Sequence, residues 1–240
     1  MQCIVAQLFV KPECAEEYEA EFAKGAKIVQ DNEEGCLLYQ LAKDRKEKGK
    51  YYVLEVYASG DAVKTHMKNL GKNRNPAMGK LMDTSKKPVI SVMPVIGNPV
   101  SKVNSIPPKP IKDILSLTRI TYSSAIYAPQ GLKMGTPTIA ILADIPAKDM
   151  DGLQEATVPA LNDVHSKEPG NLMYCLGRND KENKFTFLEL YTDMAAIGVH
   201  GKTDYFKAMG KRQRPFIGGK MAVSILQTCG NGGITATAKM

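Results

Sequence analysis

Residues 35–68 read GCLLYQLAKDRKEKGKYYVLEVYASGDAVKTHMK, and residues 170–202 read GNLMYCLGRNDKENKFTFLELYTDMAAIGVHGK. The second stretch repeats the first, and their one-residue difference in length falls in a charged hairpin loop, where length is free to vary. The alignment pairs Tyr39 with Tyr174, Glu55 with Glu189, Tyr57 with Tyr191, and His66 with His200. Because the spacing exceeds the roughly 20–50 residues of solenoid repeats, the chain is predicted to contain two copies of one small domain.

Hydrophobic periodicity predicts the same order of elements in each copy. An amphipathic helix follows a first strand, and two strands joined by the charged hairpin precede a short helix with the repeated histidine and a last strand. Each copy therefore reads β-α-β-β-α-β, the ferredoxin-like order, and the fold class is α+β. The predicted domains are 1–96 and 137–229, with a linker at 97–136 and a flexible tail at 230–240. In the second copy, Pro159 is expected to kink or split the first helix.

The third strand of each copy has two different faces, because successive side chains point to opposite sides of a strand. In the first copy, one face has Tyr52, Leu54 and Val56, and the other has Tyr51, Val53, Glu55 and Tyr57. We expect helices to pack on the more aliphatic face. The aromatic face is expected to meet another partner, since a lone buried carboxylate costs several kcal/mol.

The composition is that of a globular protein with a basic surface. The chain has 240 residues, a formal net charge of +7 and no tryptophan. No apolar run approaches the roughly 18 residues that span a bilayer, and the N-terminal residues do not resemble a signal peptide, so a cytoplasmic protein without membrane contact is expected. The lysines are scattered rather than arranged in a stripe with aromatic residues, so nucleic acid is not an expected partner. The five cysteines lack metal-ligand spacing, and no metal site is expected.

The repeated pattern resembles that of a known family. Both copies combine a glycine, a tyrosine four residues later, a Glu-x-Tyr motif and a histidine. The residues that carry the pattern are Gly35, Cys36, Tyr39, Glu55, Tyr57 and His66 in the first copy, and Glu168, Gly170, Tyr174, Glu189, Tyr191 and His200 in the second. This pattern resembles the antibiotic biosynthesis monooxygenase family of the dimeric α/β-barrel superfamily, over about the first 95 residues and residues 137–228.

The resemblance implies a fold and a choice of activities. Family members are typically homodimers whose two sheets pack into a barrel, so two fused copies imply an intramolecular pseudo-dimer, with further homo-oligomerisation left open. The implied function is a monooxygenase that uses O2 and no cofactor on a quinol-like or enolisable aromatic substrate. The alternatives are a non-catalytic small-molecule-binding or stress-related barrel and an isomerase of a phosphorylated carbonyl compound. Haem degradation fits poorly, because the chain has no tryptophan.

The repeated histidines and glutamates are the candidate catalytic residues. His66 and His200 are candidate general bases, because imidazole titrates near neutral pH and cofactor-free oxygenation begins with removal of a proton from a phenol or enol. Glu55 and Glu189 are candidates for orienting the histidine or holding a substrate hydroxyl. The alternative is a structural role for both pairs, as hydrogen-bonded groups at the edge between helix and sheet.

The repeated tyrosines are the candidate substrate-binding residues. Tyr39, Tyr57, Tyr174 and Tyr191 could donate hydrogen bonds to a developing oxyanion. Aromatic residues in central strands also serve as core, which is the alternative. The sequence leaves open whether one copy or both are active.

Overall fold

The computed structural model of the chain describes residues 1–72, 75–96 and 137–229. The predicted linker at 97–136 and the predicted tail at 230–240 lie outside the described residues. The limits assigned to the two sequence domains, 1–96 and 137–229, stay a prediction.

The first repeat has the predicted β-α-β-β-α-β order with one additional short helix. Its elements are β1 (Gln2–Phe9), α1 (Ala15–Asn32), β2 (Cys36–Asp44), β3 (Lys50–Tyr57), α2 (Gly60–Lys72), α3 (Pro76–Leu81) and β4 (Val89–Pro94). The first turn of α2 is capped by Ser59, whose hydroxyl accepts a hydrogen bond from the Ala62 backbone N–H at 3.1 Å.

The second repeat has the same order, again with one additional helix. Its elements are β5 (Ile139–Pro146), α4 (Met150–Lys167), β6 (Asn171–Asn179), β7 (Lys184–Tyr191), α5 (Met194–His200), α6 (Asp204–Gln213) and β8 (Ala222–Thr228). Asp193 caps α5 by accepting a hydrogen bond from the Ala196 N–H at 2.9 Å. The predicted order of elements is therefore confirmed in both repeats.

The described chain forms two compact units, and β5 crosses from one to the other. The first unit contains the first repeat through Pro94, the start of β5 and nearly all of β8. Its strand order is β4-β1-β3-β2-β8-β5, and β8 joins β2 through antiparallel pairs such as Ala42 with Thr228. The second unit has the strand order β5-β7-β6 and includes Ile96, whose N–H donates to the Leu176 carbonyl at 2.8 Å. Both repeats thus have the ferredoxin-like order of elements, which confirms the predicted class of tandem ferredoxin-like repeats.

Helix α1 packs on the aromatic face of the first repeat, so the expectation that helices cover the more aliphatic face is wrong. The Tyr18 ring centroid lies 5.3 Å from that of Tyr51, and the Phe22 ring stacks on Tyr39 at 5.3 Å. The rings supply the apolar surface that a helix needs. The carboxylate of Glu55 accepts a hydrogen bond from the Tyr57 hydroxyl of the same repeat.

Helix α4 runs unbroken from Met150 to Lys167, so Pro159 does not split it. A proline inside a helix removes one backbone hydrogen bond and crowds the preceding turn. Buried residues hold the helix on both sides of the proline, with Leu153 before it and Leu161 and Val164 after it in the same core cluster. Their burial offsets the local loss, and the helix continues.

A glycine in each repeat allows the histidine-bearing helix to approach the sheet closely. Gly35 precedes β2, and a Cβ at this position would lie 2.5 Å from the Cβ of Ala62 in α2. Gly170 precedes β6 and would meet Ala196 of α5 at the same distance, 2.5 Å. Real Cβ atoms do not approach this closely, so only glycine permits this packing without a shift of the helix.

We expect Gly35→Ala to lower the free energy of unfolding by about 1–3 kcal/mol, because the added methyl group would push α2 away from β2. Urea unfolding followed by circular dichroism measures the effect. Gly25→Ala is the matched control, since a Cβ at Gly25 in α1 meets no atom within 4 Å. Alanine is the better helix former there by about 1 kcal/mol, so stability should stay equal or increase. Equal effects of the two changes would contradict the proposed constraint.

Candidate functional site

The four predicted site residues of the first repeat lie together. Tyr39 and Glu55 are directly paired across β2 and β3, and Tyr57 lies two residues further along the same face. The Tyr57 hydroxyl donates a hydrogen bond to Glu55 Oε2 at 2.6 Å. The His66 ring centroid, from α2, lies 5.3 Å from the ring centroids of both tyrosines. His66 is only 1% exposed, so the cluster is buried.

The second repeat builds the same cluster from the paired residues. The Tyr191 hydroxyl donates to Glu189 Oε2 at 2.7 Å. The His200 ring centroid lies 5.3 Å from that of Tyr174 and 5.9 Å from that of Tyr191. His200 is 4% exposed. The structure therefore brings together the four predicted residues of each repeat, one cluster to a repeat.

A second glutamate, which was not among the predicted site residues, holds each histidine. His66 Nδ1 lies 2.8 Å from Glu33 Oε2, and His200 Nδ1 lies 2.9 Å and 3.0 Å from the two carboxylate oxygens of Glu168. These glutamates are the C-cap residues of α1 and α4. The sequence contained the signal, because a Glu-x-Gly motif precedes the second strand of both repeats.

The opposite ring nitrogen of each histidine is buried without a hydrogen-bond partner in the described part of the chain. His66 Nε2 lies 3.8 Å from Glu55 Oε2, which is close enough for an ion pair and too long for a hydrogen bond. In the neutral ring, the glutamate at Nδ1 favours the tautomer with its proton on that nitrogen, which leaves the Nε2 lone pair available. Such a ring can accept a proton at Nε2 while it stays anchored at Nδ1.

The profile of a known protein family matches the two segments that contain these clusters. The family is described as antibiotic biosynthesis monooxygenase, and the match covers residues 1–72 and 139–212. The chain belongs to the antibiotic biosynthesis monooxygenase family. The resemblance expected from the repeated motif is thereby confirmed. No protein with a curated description matches the sequence.

Two solved structures share the fold of this family member over nearly its whole length. A "putative monooxygenase" from Lactobacillus acidophilus NCFM is 16% identical, with 95% of this chain and 93% of that chain covered and a TM-score of 0.69. Another "putative monooxygenase", from Fusobacterium nucleatum subsp. nucleatum, is 19% identical, with 97% and 95% covered and a TM-score of 0.72. At these identities the likeness concerns the fold alone.

Burial shifts the titration of the acids in both clusters. Desolvation raises the pKa of Glu55 and raises that of Glu189 to about 7, against the opposing effects of the neighbouring histidine and tyrosine. Burial, followed by the charge of the adjacent glutamate, also raises the pKa of Tyr57 and of Tyr191. Both hydroxyls therefore stay protonated near neutral pH and act as hydrogen-bond donors.

The two clusters of this family member differ in the group that supports the second glutamate. In the first repeat, Asn69 Nδ2 donates to Glu33 Oε1 at 3.0 Å. In the second repeat, the Tyr205 hydroxyl donates to Glu168 Oε1 at 2.6 Å. These two donors come from the segment after the histidine, where the sequences of the repeats diverge.

An aromatic ring covers the histidine of the second cluster. Helix α5 ends at His200, and α6 begins at Asp204, whereas α2 of the first repeat continues past its histidine. After this break, Phe206 of α6 packs against the histidine, and its ring centroid lies 4.3 Å from that of His200. Phe206 is itself only half-buried.

No group of three or more His, Cys, Asp or Glu side chains within 1–72, 75–96 and 137–229 is arranged to hold a metal ion. Across the same ranges, no helix is long and apolar enough to cross a membrane. A cytoplasmic location stays a prediction from the sequence.

We expect the free energy of unfolding of Glu189→Gln to increase relative to that of the wild type as pH rises. The folded-state pKa of about 7 lies above the ordinary value of 4.5, so between these values the folded protein binds more protons than the unfolded chain. Wild-type stability therefore falls as pH rises through this window, and an uncharged glutamine removes that fall. The difference in the free energy of unfolding should rise by at most about 1.4 kcal/mol per pH unit and then level off. Urea unfolding at several pH values measures it.

Glu21→Gln is the control of opposite sign. Hydrogen bonds from Lys24 and Asn75 lower the pKa of the Glu21 carboxyl, so this charge stabilises the fold once pH exceeds the carboxyl pKa. Its removal should give a small loss that appears as pH rises. A pH-independent difference for Glu189→Gln would show that this carboxyl does not titrate in the stated window.

Proposed function

We propose that this protein is a cofactor-independent monooxygenase that acts on a quinol-like or enolisable aromatic compound, with O2 as the second substrate. Family membership supports the reaction type. The buried Glu–His pair of each repeat is the observation that carries the proposal, because it provides a base in a fixed position with one ring nitrogen available.

The first step is removal of a proton from a phenol or enol. Nε2 of His66 or His200 is the proposed base, and Glu33 or Glu168 stabilises the resulting imidazolium by accepting its Nδ1–H. Positioned general bases of this kind contribute about 10²–10⁴-fold to a rate. The second glutamate therefore has a clear task in the proposed chemistry, which is to keep the ring in one tautomer and one orientation.

The tyrosines of the clusters are the proposed substrate-binding residues. Burial raises the pKa of Tyr39 and of Tyr174 well above the ordinary value, so their hydroxyls remain donors. The hydroxyls of Tyr57 and Tyr191 donate to the adjacent glutamates and would turn to the substrate oxyanion as it forms. Glu55 and Glu189 are the proposed partners that hold a substrate hydroxyl or the ring.

The remaining steps balance with O2 as the only oxidant. The substrate carbanion reduces O2 and forms a C–O bond, which gives a hydroperoxide. The hydroperoxide then loses water and leaves a carbonyl, so one oxygen atom enters the product and the other leaves as water. The substrate supplies all four electrons; the proton held on the histidine completes the hydroperoxide, and the C–H proton of the same carbon joins the leaving hydroxide as water.

The deep burial of both histidines favours a second candidate, a non-catalytic small-molecule-binding or stress-related protein. His66 is 1% exposed and His200 is 4% exposed, so the Glu–His pairs would then serve to fix a helix to the sheet. A catalytic protein must expose Nε2 to a substrate when covering side chains move. Oxygen consumption separates the two candidates.

We expect the double variant His66→Ala/His200→Ala to lose oxygen uptake by about 100-fold or more, because it lacks the proposed bases. Uptake is followed with 1,4-naphthohydroquinone and an oxygen electrode, without added flavin or metal, against the spontaneous oxidation rate. The two single variants show which repeat is active. His165→Ala is the control, because this histidine has no counterpart in the first repeat.

Two readouts separate chemistry from folding in this experiment. Circular dichroism must show that the double variant is folded, and added imidazole should restore part of its rate if the ring acts as a base. An unchanged rate in the folded double variant would contradict the assignment of the histidines. A wild-type protein that binds the quinol and consumes no O2 would favour the non-catalytic candidate.

A further inference from the structure

The first residue of β2 differs in chemistry from the first residue of β6. Cys36 begins β2, and Asn171 begins β6. Each is paired across the strands with a tyrosine of its cluster, Cys36 with Tyr57 and Asn171 with Tyr191. Directly paired residues of antiparallel strands project from the same face. Asn171 therefore projects from the face that carries the second cluster.

The backbone also ties Asn171 to this cluster. Its N–H donates to the Glu168 carbonyl oxygen at 3.1 Å, and the carboxylate of the same glutamate holds His200. On the other side, its strand partner Tyr191 lies next to the His200 ring, with the centroids 5.9 Å apart. Asn171 thus neighbours two residues of the second cluster, the glutamate that holds His200 and the tyrosine whose ring lies next to it.

Asn171 has a buried amide that the fold does not use. The residue is 1% exposed, and neither Oδ1 nor Nδ2 has a hydrogen-bond partner within the described ranges. His200 Nε2, in the same cluster, is also unpartnered there. A buried polar group without a partner destabilises a protein, and the first repeat accommodates a small thiol at this position. The buried amide therefore lowers the stability of the protein, and the packing does not explain why the second repeat has an asparagine here.

We infer that Asn171 is a further substrate-recognition residue of the second repeat, and that its ligand is a phenolic hydroxyl. The hydroxyl donates its proton to His200 Nε2 and accepts a hydrogen bond from Asn171 Nδ2, so one oxygen satisfies both groups. As the proton moves to Nε2, the amide donates to the phenolate that forms. Asn171 Oδ1 accepts from a second hydroxyl, which favours dihydroxylated aromatic substrates. The inference rests on the proposed function for the identity of the ligand.

Phe206 provides the route to this site. Its ring lies against the His200 ring at 4.3 Å between centroids, and the side chain is only half-buried. We therefore propose rotation of this part-exposed side chain as the movement that opens the histidine to the substrate. Part-exposed side chains change rotamer on a time scale far shorter than catalytic turnover.

The test is Asn171→Leu, which keeps the approximate shape of the side chain and removes its polar atoms. Binding of 1-naphthol and of 1,4-naphthohydroquinone is measured by calorimetry under nitrogen, so no turnover occurs. We expect Kd to rise by about tenfold or more for both probes, because the buried ligand hydroxyl loses a partner. The melting temperature of the variant should rise, since an unsatisfied buried amide is gone. Cys36→Ala, at the corresponding position of the first repeat, is the control; it adds no bulk to the core and should change Kd by less than about twofold.

Each other result overturns the inference. A higher melting temperature with unchanged Kd means that the amide does not contact the ligand. A lower melting temperature means that the amide is hydrogen-bonded within the fold, and absence of naphthol binding by the wild type removes the ligand class. Failure of the proposed oxygenation looks different: the probes bind, Asn171→Leu weakens them, and the wild type consumes no O2.

Discussion

In each repeat, a buried hydrogen bond between a glutamate carboxylate and a histidine ring holds the histidine-bearing helix to the end of the first helix. Glu33 stands where α1 ends, and His66 stands on α2, so their 2.8 Å contact joins two helices that are far apart in sequence. An isolated carboxylate in such a place would cost several kcal/mol, whereas a paired and hydrogen-bonded one is tolerated. The close approach of α2 at Gly35, the burial of the histidine and the position of the two tyrosines all depend on this contact.

The charges of each cluster do not balance if every acid is ionised. Two glutamates face one histidine, so even a protonated ring leaves one negative charge in the core. The raised pKa of Glu55 and of Glu189 is the physical response, because protonation of that acid removes the excess charge. In the second cluster, Glu189 can therefore take up or release a proton near pH 7.

Alternation and periodicity predicted the class of fold and the shared face of Glu55 and Tyr57, because residues two apart on a strand must share a face. Other features depended on contacts that no local pattern contains. The role of Glu33 is set by the conformation of the chain between α1 and β2. The pairing of β8 with β2 is set by residues that lie far apart in sequence. The covered face was misjudged because tyrosine rings bury well while their hydroxyls find partners. The predicted split of the helix at Pro159 is absent because core packing outweighs a local preference.

The chain after the histidine gives the two clusters different surroundings. In the first repeat α2 continues past His66, and Asn69 from the next turn reaches Glu33. In the second repeat the helix stops at His200, and the chain returns with an aromatic pair, Tyr205 and Phe206, on the glutamate and the ring. The same Glu–His contact is thus supported by an asparagine amide in the first repeat and packed against two aromatic side chains in the second. Since access and polarity around Nε2 decide what the ring can bind, a duplicated fold can keep the contact in both copies and still give them different chemistry.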